Sequence, residues 1–286
     1  MSPACYWTRE SRPTPSQSER GAGSGSQTDP WHDPLGRRSL ADFEGLTALV
    51  TGGTSGIGAA AAQLLHERGG RVAVLGRAPD GSSGHLEIAA DVTDLEAIRH
   101  AVAEVVQAFG SIDVLVNCAG VSAVGDVTAN DEAEWLHVLD VNVVGMARMS
   151  AAALPHLRQS GFGAIVNVGS IAASMGVRDR ALYSASKGAV SALTLAMAAD
   201  HLRDGIRVNA VLPGTTDTPW VGRLLDRSDD PEAAASELRA RQPIGRLLTA
   251  QEVAHAIAYL ASPLSGSTTG TLLTIDGGMS SLHIPQ

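Results

Sequence analysis

Tyr183, Lys187 and Ser170 are the residues of this chain whose types and spacing could do chemistry together. Tyrosine and lysine stand four positions apart, so a helix through them sets phenol and ammonium on one face. A neighbouring cation favours the phenolate form of a tyrosine, and such a phenol can give a proton to a carbonyl oxygen or take one from an alcohol. Ser170, thirteen residues before the tyrosine, adds a hydroxyl. Lys187 is also the single lysine among twenty-one basic residues. A compact ammonium with three donors serves there in a way that a planar guanidinium does not. Taken alone, the pair equally fits a helix-stabilising contact in a chain biased towards arginine.

A second constellation lies upstream. Residues 51–58, Thr-Gly-Gly-Thr-Ser-Gly-Ile-Gly, follow an apolar run and open a helical pattern. Gly52, Gly56 and Gly58 let the backbone approach a pyrophosphate, and Thr54, Ser55 and Ile57 stand where a helix N-terminus supplies amide donors and partial positive charge. A tight strand-to-helix turn is the structural alternative. The next apolar run ends Val74-Leu75-Gly76-Arg77. An acid at its end would bind a ribose 2′-hydroxyl and repel a 2′-phosphate. Gly76 occupies that position, and Arg77 offers a fork to phosphate, which favours NADP(H) over NAD(H). Arg77 stacked on adenine or left solvated are the other readings. Asp91-Val92, after the third apolar run, is placed to accept from an adenine amino group; Asp91 could instead cap the next helix, a role Asp94 fills better.

The elements that must position these residues alternate regularly. Apolar segments at 47–51, 71–75, 86–89, 114–117, 164–168, 207–211 and 272–275 read as strands. Amphipathic stretches at 57–68, 95–109, 132–158, 182–203 and 251–261 read as helices. Near-continuous apolar strands separated by helices predict an α/β fold, a doubly wound seven-stranded parallel sheet of Rossmann type. Residues 220–246 break the rhythm with two short helical pieces at 221–226 and 232–241 and no strand. An insertion at the carboxyl end of such a sheet suits a substrate lid; a connecting or oligomer surface is the plainer reading.

Composition sets the bounds. Of 286 residues, the first forty are rich in Ser, Pro, Gly and Arg without apolar periodicity, and are expected to be a disordered tail with no secretory h-region. Residues 41–286 then form one dinucleotide-binding and catalytic domain. The net charge is −9, and residues 41–286 hold sixteen basic against twenty-six acidic groups, a poor surface for nucleic acid. No apolar run is long enough for a membrane span. Two cysteines, Cys5 and Cys118, give no disulfide framework, which suits a reducing cytoplasm, and the histidines show no metal-ligand spacing.

In order and spacing, residues 51–58, Asn117-Cys118-Ala119-Gly120, Asn142, Ser170, Tyr183-Ser184-Ala185-Ser186-Lys187 and Pro213-Gly214 resemble the short-chain dehydrogenase/reductases, over essentially the whole chain after the tail. Cys118 departs from the commoner asparagine. The resemblance implies an oxidoreductase with a nicotinamide cofactor. Tyr183 would be its general acid/base, and Lys187 would hold the nicotinamide ribose. Ser170 would donate to the substrate oxygen, and Asn142 would hold a water of a proton relay. The plainer readings are a strand-terminating Ser170 and a buried structural Asn142. Asn117, Ala119 and Gly120 would line the cofactor, and Pro213, Gly214 and Thr218 would contact the carboxamide side of nicotinamide. A homotetramer or homodimer is implied on the same ground. Arg180, Trp220 and Arg241 resemble a subgroup acting on small hydroxy acids and sugar acids. Two arginines facing one pocket suit a carboxylate; surface cations in a lysine-poor chain are the alternative. Trp220 fits a lid core as well as a substrate face. A 3-oxoacyl thioester or polycyclic ketone is the second substrate class, and a non-catalytic cofactor-binding scaffold or redox sensor is the non-enzymatic reading.

Overall fold

A computed structural model describes residues 41–283 except Arg227 and Asp229, so the expected tail at 1–40 lies outside the described residues. The chain runs β1 (Thr47–Thr51), α1 (Gly56–Glu67), β2 (Arg71–Gly76), β3 (Leu86–Ala89), α2 (Leu95–Phe109) and β4 (Val114–Asn117). It continues with α3 (Glu132–Leu139), a π-helical turn (Asp140–Val144), α4 (Gly145–Leu157), β5 (Ala164–Val168), a 3₁₀ turn (Ile171–Ala173) and α5 (Ala181–His201). After β6 (Arg207–Pro213) come β7 (Thr216–Asp217), α6 (Pro219–Leu225), α7 (Pro231–Ala240), β8 (Leu248–Thr249), α8 (Ala250–Ala261) and β9 (Leu272–Ile275).

Seven strands form one parallel sheet in the order β3-β2-β1-β4-β5-β6-β9. Every residue of β1, β4 and β5 is buried, which is why these strands read as near-continuous apolar runs rather than alternating ones. The core is double, one layer on each face. Ala61, Leu65, Val253 and Ile257 of α1 and α8 cover one face, and Ile98, Val102, Met149, Leu157 and Met197 of α2, α4 and α5 cover the other. Strand order reverses between β1 and β4, and the crevice at their carboxyl ends is where an open α/β sheet takes its ligand.

Two expectations need correction. The helix expected over 132–158 is interrupted by the π-helical turn at Asp140–Val144. Just past that turn, a Cβ on Gly145 would stand 2.8 Å from Val92 Cγ2, so only glycine lets α4 lie this close to the loop after β3. The inserted segment is also flanked by sheet that the sequence pattern did not predict: β7 and β8 pair in parallel over two residues each and close its base. Between them α6 starts from Thr218, whose Oγ1 accepts from Val221 N at 3.4 Å, and α7 starts from Asp230, whose carboxylate accepts from Ala233 N at 3.0 Å. Buried Gln242 anchors the end of the segment, donating to the carbonyls of Thr215 and Arg246 at 3.0 and 2.9 Å.

Candidate active site

The turn from β1 into α1 is shaped by its glycines. Gly52 and Gly56 have φ of +65° and +55°, a region that side chains rarely adopt, and a Cβ on Gly58 would collide with the Gly52 carbonyl oxygen. Ser55 stands at the N-cap of α1 in extended conformation, yet its side chain makes no cap bond and the first turn carries no acid. The leading amides of α1 therefore remain available to an external anion. Thr51 Oγ1 accepts from the amides of Cys118 and Ala119 at 3.0 and 3.1 Å, tying the ends of β1 and β4 into the floor of the crevice. Burial pushes the Cys118 thiol up to about 11, against the opposite pull of Lys187.

One cleft of about 340 Å³ runs from this turn across the carboxyl ends of the strands. It is lined by Gly52, Ser55, Gly56 and Ile57, by Ala119 and Gly120, by Ser170, Tyr183 and Lys187, and by Pro213, Gly214 and Thr218. The structure thus brings most of the sequence-predicted residues together. Tyr183 and Lys187 lie on the first two turns of α5, with Lys187 Nζ 5.8 Å from the centre of the tyrosine ring. Lys187 is buried and donates to the Val168 carbonyl at 2.9 Å, leaving two of its three N–H groups uncommitted. Ser170 caps the 3₁₀ turn after β5; its Oγ accepts from Ala172 N at 3.2 Å, which leaves the hydroxyl proton free to donate. A Cβ on Gly120 would sit 3.6 Å from Lys187 Nζ, so the glycine keeps open the space beside the ammonium.

Some predicted residues fall elsewhere. Asn117 does not line the cleft: its amide donates to Ser150 Oγ at 3.1 Å and to Asn167 Oδ1 at 2.9 Å. β4 sends that side chain into the sheet face covered by α4 and α5, where Asn167 passes the contact on to Thr194. Val92 is buried in the same layer, against Gly145. Asn142 is fully buried and both ends of its side-chain amide are engaged, accepting from Val121 N at 2.8 Å and donating to Val121 O at 2.8 Å and Ser186 Oγ at 3.0 Å. Thr54, Arg77 and Asp91 stand outside the cleft lining, at the ends of β1, β2 and β3. Arg77 is exposed and close enough to Asp91 to help hold its carboxyl below the ordinary range, after the hydrogen bond from Thr93 N. Asp94, not Asp91, caps α2, accepting from the amides of Glu96 and Ala97. A Cβ on Gly76 would meet Thr54 Cγ2 at 2.8 Å, so that glycine is where Thr54 packs.

The far end of the cleft holds Arg180, Trp220 and Arg241 with an apolar wall of Ile171, Val177, Leu238 and Met279. Arg180 precedes the first turn of α5 and donates to the Ala123 carbonyl at 3.0 Å. Its backbone is pinned by a bridge to Gly125, and Asp179 just before it has a φ of 56°. Burial draws the Arg180 guanidinium below its ordinary value, and among the described residues no carboxylate forms an ion pair with it. Arg241 instead pairs with Glu237 at 2.6 Å. The wall residues, and Ser122 beside them, were not singled out in the sequence. Only the lid position of Leu238 and the place of Ser122 two residues past Gly120 hinted at them.

The chain is similar to known proteins over most of its length. The family model described as enoyl-(acyl carrier protein) reductase matches residues 52–280. The cis-4-hydroxycyclohexanecarboxylate dehydrogenase of Sinomonas cyclohexanicum is 41% identical over 248 residues, covering 82% of this chain and 97% of that protein. The 2-(S)-hydroxypropyl-CoM dehydrogenase 3 of Xanthobacter autotrophicus is 38% identical, covering 82% of this chain and 96% of that one. The ligand-free aldohexose dehydrogenase of Thermoplasma acidophilum superposes with a TM-score of 0.81 at 34% identity, covering 86% of this chain and all of that one. Among the described residues no helix is long and apolar enough to cross a membrane. With a doubly wound sheet, an uncapped glycine turn and a Ser–Tyr–Lys cleft already assembled, the chain belongs to the short-chain dehydrogenase/reductase family, nicotinamide-dependent oxidoreductases acting on CH–OH groups.

Proposed function

We propose that this protein interconverts the secondary alcohol and ketone of a small hydroxy acid, with Arg180 receiving the carboxylate. The observation that carries the reading is a half-buried guanidinium in the same cleft as Tyr183, with no acid in ion-pair contact among the described residues. Taking a cation out of water is costly unless a counter-charge arrives, and a substrate carboxylate is that charge. The relative from Sinomonas cyclohexanicum, named for a hydroxycyclohexanecarboxylate, supports a carboxylate substrate, and the apolar wall of Ile171, Val177, Leu238 and Met279 suits a carbon ring or chain.

The residues of the cleft fit a nicotinamide dinucleotide. The open amides of α1 would hold the pyrophosphate, the space kept by Gly120 would admit the ribose beside Lys187, and Pro213, Gly214 and Thr218 would border the nicotinamide. When bound, that cofactor supplies or accepts the hydride. Tyr183 gives its phenolic proton to the substrate oxygen in reduction and takes the alcohol proton in oxidation. The Ser170 hydroxyl donates to the same oxygen and stabilises charge developing there. Lys187 turns its two uncommitted donors towards the ribose hydroxyls and keeps positive charge beside the phenol. With its side chain engaged by Val121 and Ser186, Asn142 would hold the water of the proton relay through its main-chain carbonyl. Gly76 and Arg77 favour NADP(H) over NAD(H), α6 and α7 form a lid over the substrate, and the protein works in the cytoplasm as a homotetramer or homodimer.

Arg180→Ala tests the carboxylate reading. The KM for 4-hydroxycyclohexanecarboxylate should rise by about 10- to 100-fold, as expected for a charge-assisted contact, while that for cyclohexanol stays near wild type. An equal rise for both would remove Arg180 from substrate recognition.

A further inference from the structure

The helix that precedes Arg241 also carries the carboxylate that holds it. Arg241 Nη2 donates to Glu237 Oε1 at 2.6 Å, one turn back on α7. That contact commits one of five guanidinium donors. Both side chains are exposed, 42% for Arg241 and 67% for Glu237, and an exposed i,i+4 pair is weak and screened by salt. Arg241 nevertheless borders the cleft that contains Arg180 and Tyr183. The two guanidiniums repel: burial lowers the pKa of Arg180 first, and the Arg241 charge adds to that effect. A carboxylate seated on Arg180 therefore enters the field of both cations and competes with Glu237 for the second. Losing the contest costs Glu237 little, because its carboxylate already stands in water.

We propose that Glu237 is a positioning residue of the lid: it holds Arg241 along α7 until an anionic substrate reaches Arg180, then yields Arg241 to the substrate carboxylate. This rests on the carboxylate reading of the cleft. It makes α7 a sensor of substrate charge, since a neutral alcohol offers nothing to exchange for Glu237. Arg241 then changes partner from its own helix to the ligand, drawing the lid inward only over an acid.

The test uses the full-length protein loaded with its nicotinamide cofactor, with cyclohexanecarboxylate as probe and cyclohexanecarboxamide as its neutral counterpart, both titrated by calorimetry. Glu237→Gln removes the competing charge and keeps the shape. It should tighten cyclohexanecarboxylate about twofold at low ionic strength, the size of an exposed helical ion pair. The gain should vanish at about 0.5 M salt and in an Arg241→Ala background, and the carboxamide should bind both forms alike. A purely structural role for Glu237 would move both probes together. Unchanged or weaker carboxylate binding in Glu237→Gln overturns the proposal, as does a gain that survives in Arg241→Ala. The underlying reading fails separately: it falls if wild type does not bind cyclohexanecarboxylate, or if Arg180→Ala leaves that binding intact.

Discussion

Gly76 leaves the end of β2 without a side chain. At the end of β2 an acid would read the adenosine ribose, but a Cβ there would stand 2.8 Å from Thr54 Cγ2 and 2.9 Å from Thr54 Oγ1. Glycine and threonine have thus been fitted to each other, and Arg77 is left as the charged group at that strand end. Installing the acid requires room, so the informative variant is Gly76→Asp combined with Thr54→Ala. Its ratio of kcat/KM for NAD over NADP should rise about tenfold or more relative to wild type, as a ribose 2′-hydroxyl gains an acceptor and a 2′-phosphate meets repulsion. An unchanged ratio would mean that cofactor choice is made elsewhere. The lone lysine belongs to this scale too. Buried, bonded to the Val168 carbonyl and facing the space kept by Gly120, Lys187 sets a compact three-donor ammonium where a planar guanidinium fork would present its donors differently.

Elements position these groups, and they were unevenly legible in the sequence. β1, β3, β4, β5 and β9 fall where apolar runs predicted, because each run is read from its own few residues, whether buried throughout like β1, β4 and β5 or lying at a sheet edge like β3 and β9. The glycine turn and the Tyr183–Lys187 face were legible for the same local reason: each depends on residues within one turn of chain. What escaped depends on distant partners. The anchor of Arg180, itself a predicted residue, is a bridge to Gly125, fifty-five positions away, and the π-helical turn lies beside a contact between Gly145 and Val92. Asn117, expected at the cofactor, turns its amide instead to Ser150 and Asn167 on other elements. The start of α8 gives a prediction at this scale. Thr249 and Glu252 form a capping box, and the Arg246 guanidinium, together with the Thr249 amide, holds the Glu252 carboxyl down at about 2. A carboxyl depressed in the folded state stabilises above its unfolded value near 4.5, and that contribution is lost as pH falls towards 2. Because the group is exposed, solvent screening limits the effect to about 1 kcal/mol. Glu252→Gln should therefore lower the melting temperature by about 2–4 °C at pH 7, with the difference from wild type shrinking between pH 4.5 and 2.5. A difference that stays constant over that range would refute the assignment.

At the scale of the whole molecule, one sheet gathers the candidate site along the carboxyl ends of its strands. The reversal of strand order between β1 and β4 opens the crevice, α1 brings its free amides to one end, and α5 brings phenol and ammonium to the middle. The insertion between β6 and β9 brings Trp220 and Arg241 to the other. Ser170, Tyr183 and Lys187 belong to neither apolar layer. That separation makes the central claim testable without unfolding the protein. Tyr183 is partly exposed in the cleft, so Tyr183→Phe removes one hydroxyl and little packing. The decisive measurement is the initial rate of cofactor-dependent oxidation of a secondary alcohol by Tyr183→Phe, alongside its affinity for the nicotinamide cofactor. The rate should fall by about 10²- to 10⁴-fold, the worth of a positioned acid/base, with cofactor affinity retained. Turnover near the wild-type rate would contradict Tyr183 as the proton-transferring group.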